Sequence, residues 1–293
     1  MISALEVPVA VRQGTATSAW ALRRRVIPLI ARQEARDALL GWPLYAVATV
    51  ALLIGALLVS NALRAVAESG LEIVSRPFYF PVLVSTSLAA LYLAGWAALA
   101  IARPRDQGAL RVLFFAPVDP AGLVAGHAIS ALLLYIVFLL ITTPVYVAIA
   151  WVVNLPLSPL LVTGMVVSPL FILPAIGIGL LISAWAPSAR SAVFLFAAVL
   201  AVLTAVQIGY GALQQVPPTT RYYDALLFLR EVLRIVREAL LWLSPLALLS
   251  EGLDAALRAD WAETARLLAS GAIGGLVWLA LAVWALQRRG VLP

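Results

Sequence analysis

Few side chains in this sequence are able to do chemistry, and what is missing narrows the function as much as what is present. All twenty basic residues are Arg, Lys and Cys do not occur, and His127 is the single His. A P-loop needs its lysine at the nucleotide phosphates, and no GxxxxGK[ST] pattern occurs, so any ATP-driven work requires another subunit. Without Cys there is neither disulfide nor thiol chemistry. Zinc or general-base catalysis needs His, Asp, Glu or Cys held together. His127 instead stands beside Gly126 at the start of an apolar run, and we read it as an interfacial residue rather than a ligand.

Charge is confined to a few short segments. The most telling is Arg103 to Gly126, RPRDQGALRVLFFAPVDPAGLVAG, an island between two long apolar runs with Arg103, Arg105, Asp106, Arg111 and Asp119. Leu110, Leu113 and Phe114 fall at i, i+3 and i+4, which gives a short helix one apolar face with Arg111 on another. Such a knob suits docking into a partner protein. A solvated loop whose apolar residues dip into the headgroups fits the same pattern.

The elements around this island follow from composition. Hydrophobic residues fill 63% of 293 positions and charged ones only 12%, against about a quarter charged in soluble chains. The chain is therefore expected to be an integral membrane protein. Residues 1–22 form a polar tail without the apolar core of a secretory signal. Residues 23–41 follow, with Arg25, Ile27, Ile30, Glu34 and Arg36 distributed as in an amphipathic helix on the cytoplasmic leaflet, or as a plain juxtamembrane anchor. The transmembrane region, 42–287, has spans at about 44–63, 78–102, 123–153, 160–185, 191–211 and 267–286. Pro120 to Ala189 contains no Asp, Glu or Arg. Seventy helical residues measure about 105 Å, over three times a core of roughly 30 Å, so this run must fold back, at Asn154–Pro159.

The fourth span crowds Gly164, Pro169, Pro174, Gly177 and Gly179 into one segment. Two prolines remove two backbone donors and predict a kink or break, which either lines a path or packs closely through its glycines. Gln207 is the strongly polar group of the fifth span and suits a helix bridge better than a substrate site. Between spans five and six, external helices are expected over about 221–258. Leu226, Leu229, Leu233, Val236 and Leu240 form one stripe and Arg230, Arg234 and Arg237 another, and five charges in nine residues keep this segment out of the lipid core. With residues 288–293 and the N-terminus inside, inner segments hold twelve Arg and five acids, outer segments eight Arg and nine acids. This bias points to both termini in the cytoplasm.

Arg105, Asp106, Gln107 and Gly108, then Leu110, Leu113 and Ala116-Pro117-Val118, then Gly126, resemble the R-E-x-G-[TS]-x-x-x-L-x-x-x-P-[VL] segment, with a following G-K, of ABC-2 type transporter permeases. The chain departs from that pattern at Pro104, Ala109 and His127. The resemblance implies an all-α polytopic fold: six transmembrane helices, an N-terminal amphipathic connecting helix, a cytoplasmic coupling helix between spans two and three, and a re-entrant or external helical hairpin before the last span. It also implies a cell inner (plasma) membrane protein that binds no cofactor itself. Its expected partners are a separate ABC ATPase carrying ATP and Mg, a second identical or related permease, and membrane lipids, with no nucleic acid. Docking would fall to Arg105, Asp106, Gly108, Leu110, Arg111, Leu113, Phe114 and Pro117. The rivals are an ion-coupled carrier, disfavoured because no carboxylate or Arg lies within the spans, and a scaffold, which leaves the island without a role.

Overall fold

Each long apolar run forms a helix, because in lipid every backbone N–H and C=O has to be satisfied within its own segment. The computed structural model describes residues 16–69, 77–108, 119–155, 157–214, 216, 223–241 and 245–289. All regular structure among them is helical: α1 (Ala16–Leu40), α2 (Pro43–Ser69), α3 (Tyr79–Ala100), α4 (Ala102–Asp106), α5 (Pro120–Val152), α6 (Pro159–Trp185), α7 (Ala189–Gln214), α8 (Tyr223–Leu241), α9 (Pro245–Leu257) and α10 (Trp261–Arg289). Among the described residues, six helical stretches are long and apolar enough to cross a membrane, namely α2, α3 with α4, α5, α6, α7 and α10. The chain is a multi-pass membrane protein.

Two helices begin well ahead of their apolar runs. The third span starts at Pro120 rather than Leu123, since the Asp119 carboxylate accepts the N–H of Gly122 at 2.9 Å and Pro120 opens the first turn. The sixth starts at Trp261 rather than Leu267. There the Asp260 carboxylate accepts the N–H of Glu263 at 3.0 Å, and an Arg266–Glu263 pair at 2.6 Å supports a polar extra turn.

The core is built around α6, which packs most extensively on α10, α3 and α9. All ten residues from Phe171 to Leu180 are buried. The helix runs unbroken through Pro169 and Pro174. Local chemistry explains this. Pro169 cannot donate to the carbonyl of Met165, and the Ser168 hydroxyl does so instead at 2.7 Å, itself accepting from the Tyr135 hydroxyl at 2.8 Å. Pro174 leaves the carbonyl of Leu170 without its helical donor. Gly271 of α10 lies against that oxygen so closely that a Cβ would stand 2.8 Å from it.

Gly177 and Gly179 are points of close helix contact. A Cβ on Gly177 would lie 2.6 Å from Cβ of Trp278, and one on Gly179 would collide with the carbonyl oxygen of Ala94. Small residues thus let α10 and α3 approach the α6 backbone, as helix pairs in lipid require. The short α9 belongs to the same core, with Leu248, Leu249, Leu253 and Ala255 buried.

Candidate functional site

The charged island enters the fold through α4, and its stem is held at the α6–α7 turn. The Ser183 hydroxyl accepts the N–H of Ile101 at 2.8 Å and of Ala102 at 2.9 Å, where α3 passes into α4. Arg105 Nη1 donates to the carbonyls of Ala184 at 3.1 Å and Ala186 at 2.5 Å, closing the C-terminal end of α6. Asp106 Oδ2 accepts the N–H of Ala189 at 3.3 Å, at the first turn of α7, which Ser188 also caps through the N–H of Ser191 at 3.2 Å. A cation therefore sits at one helix C-terminus and an anion at the adjacent N-terminus, the arrangement that both helix dipoles favour. Gly108 ends the stem with φ of 72°, and its N–H donates to the Arg105 carbonyl at 3.1 Å. Leu110, Arg111, Leu113, Phe114 and Pro117 lie outside the described residues.

The second polar constellation forms where α1 crosses the first turns of α5. Ile30 rests on Gly126, where a Cβ would stand 2.8 Å from Ile30 Cγ2, and Ile27 is half-buried in the same contact. One turn further along α1, Glu34 Oε2 is 3.7 Å from His127 Nδ1. His127 is only 4% exposed, with the Trp96 ring edge-on at a centroid distance of 6.4 Å. The expected interfacial histidine is therefore a core residue, because α1 covers it. Burial holds the Glu34 carboxyl above its ordinary range, and the charge of Asp37 adds to this. Arg36 is exposed on the far side of α1, and Arg25 lies in the same helix.

Glu34 also lines a cleft of about 630 Å3 between the α1–α2 junction, α3, α4 and α7. Tyr92, Trp96 and Phe196 supply aromatic walls, Leu91 and Leu99 aliphatic ones, and Arg103 and Gln107 close the polar end. Arg103 has no side-chain hydrogen bond or ion pair among the described residues, and there Glu34 has no side-chain nitrogen within ion-pair distance except His127 Nδ1. Tyr92 and Trp96 lie in the second apolar run, and nothing in the local sequence pattern joins them to Glu34.

The structure thus brings Arg105 and Asp106 together at one turn and sets Glu34 beside His127. Pro169, Pro174 and Gly177 lie in α6, with Pro174 and Gly177 buried, and Gln207 lies in α7. No group of three or more His, Cys, Asp or Glu able to hold a metal occurs among the described residues. In comparisons with known proteins, no protein-family model matches the chain, and no curated protein matches it.

Proposed function

We propose that the chain is the membrane subunit of an ABC exporter of the ABC-2 type, working as a dimer of identical or related permeases in the inner (plasma) membrane with both termini cytoplasmic. In this reading residues 109–118, with the α4 stem, dock in a groove of a separate ATPase that carries ATP and Mg. The amphipathic α1 is the connecting helix beside it, and α8 and α9 form the external or re-entrant hairpin. The observation that supports this is the attachment of the stem. Arg105, Asp106 and Ser183 tie the root of the island to the ends of α6 and α7, while the island itself joins α3 to α5. A displacement of that segment by an ATPase would reach four spans at once, which is what a rigid two-state element needs. Uncharged spans suit a hydrophobic or amphipathic cargo such as a drug, a lipid or a lipid-linked molecule.

The test is co-purification with the candidate ATPase. Leu113→Glu and Phe114→Glu should abolish capture while leaving the protein inserted, and unaltered capture by both variants overturns the docking assignment. The Glu34–His127 pair favours a second reading, an ion-coupled carrier, because it places a carboxylate against a span. Transport in vesicles separates the two: collapse on ATP depletion supports the exporter, and collapse on dissipating the proton gradient supports the carrier.

A further inference from the structure

The cleft between α3 and α7 has the shape and polarity of an amphipathic ligand. Leu91 and Arg103 lie twelve residues apart in sequence along α3 and its extension α4, or about 18 Å of helix. That length is close to one leaflet's half of a roughly 30 Å hydrocarbon core. One end of the cleft is aliphatic and aromatic, and the other carries Arg103, Gln107 and Glu34. The two charges are of opposite sign and are not within ion-pair distance of each other, so each is available to a separate group of one ligand.

We propose that this cleft binds the head of an aminophospholipid, with Arg103 on the phosphate, Glu34 on the primary ammonium and the acyl chains running past Leu91 into the bilayer. Arginine is the side chain suited to phosphate oxygens. The Glu34 side chain is 36% exposed and lies against a buried imidazole, so it gains from an N–H donor that is also a cation. Trp96 and Tyr92 line the same cleft and add aromatic surface for that cation. A quaternary ammonium has no N–H to donate, and a glycerol head has no cation, so both satisfy Glu34 less well. The volume of about 630 Å3 holds a head and backbone rather than a whole lipid. The assignment rests on the six spans and does not depend on an ATPase partner.

The experiment is native mass spectrometry of the full chain, stripped of lipid in detergent. It is offered an equimolar mixture of phosphatidylethanolamine, phosphatidylcholine and phosphatidylglycerol. Phosphatidylethanolamine should be retained about tenfold over either competitor, a difference of about 1.4 kcal/mol. Glu34→Gln should bring it down to the phosphatidylcholine level, and Arg103→Gln should lower all three together. Equal retention of the three lipids by the wild-type chain, or preference for phosphatidylglycerol, overturns the assignment. The wild-type competition decides the matter even where a variant fails to fold.

Discussion

Ser183 on the fourth span accepts the backbone N–H of Ile101 at 2.8 Å, and the same hydroxyl takes Ala102 at 2.9 Å. All three residues are buried. A single hydroxyl therefore serves two donors where α3 gives way to α4, and its removal strips the acceptor from a site that water does not reach. Ser183→Ala should destabilise the protein by about 1–3 kcal/mol. The check is thermal unfolding of the purified protein in detergent. An unchanged melting temperature would mean that other acceptors hold the α3–α4 junction.

Gly179 and Gly274 make a matched pair for testing helix contact. A methyl on Gly179 would meet the Ala94 carbonyl, a backbone atom that cannot swing aside, whereas the nearest atom to one on Gly274 is Pro174 Cγ at 3.8 Å. Gly179→Ala should therefore lower stability through overpacking, by about 1–3 kcal/mol. Gly274→Ala should be neutral, or stabilising by up to about 1 kcal/mol, from the better helix propensity of alanine. Equal effects of the two substitutions would show that α3 and α6 are not in backbone contact.

The six spans were legible because a membrane crossing needs only length and low charge, both of which are explicit in the sequence. The α6 glycines were legible as a cluster, yet their partners were not, since Ala94 and Trp278 are distant in sequence and carry no local signal. The burial of α9 was hidden for a different reason. Leu248, Leu249 and Leu253 read the same whether they face lipid or protein, and only the packing on α6 decides. The stem contacts escaped because their acceptors are the carbonyls of Ala184 and Ala186 and one serine in an apolar run. Glu34 and His127 escaped because α1 meets α5 only in three dimensions.

Tyr146 ties three spans together in the buried half of the bundle. Its hydroxyl contacts Ser85 Oγ and donates to the Pro81 carbonyl at 3.1 Å, while Ser85 Oγ donates to the Ala51 carbonyl at 3.2 Å. Tyr146→Phe and Ser85→Ala should each cost about 1–3 kcal/mol. Because the two hydroxyls serve one network, the double variant should lose less than the two singles combined. A double-mutant cycle on thermal or denaturant unfolding measures the coupling, and strict additivity would mean that α2, α3 and α5 are joined by packing alone.

The Glu34 carboxyl yields a prediction whose sign depends on pH. Its affinity for a proton is raised above the ordinary value of 4.5, by burial first and by Asp37 second. The folded state therefore holds that proton more tightly than the unfolded state, so stability is greatest at low pH and falls as pH climbs from about 4.5 through the raised value. Glu34→Gln removes the titrating group. In lipid-free detergent the variant and the wild type should melt together at about pH 4, and the variant should melt higher at about pH 8, where the wild-type carboxylate is charged beside a buried ring. The comparison is read as the difference between the two proteins at each pH, which cancels the other carboxylates. A wild type that melts higher than Glu34→Gln at pH 8 would mean instead that the α1–α5 crossing stabilises the charged carboxylate over the neutral amide.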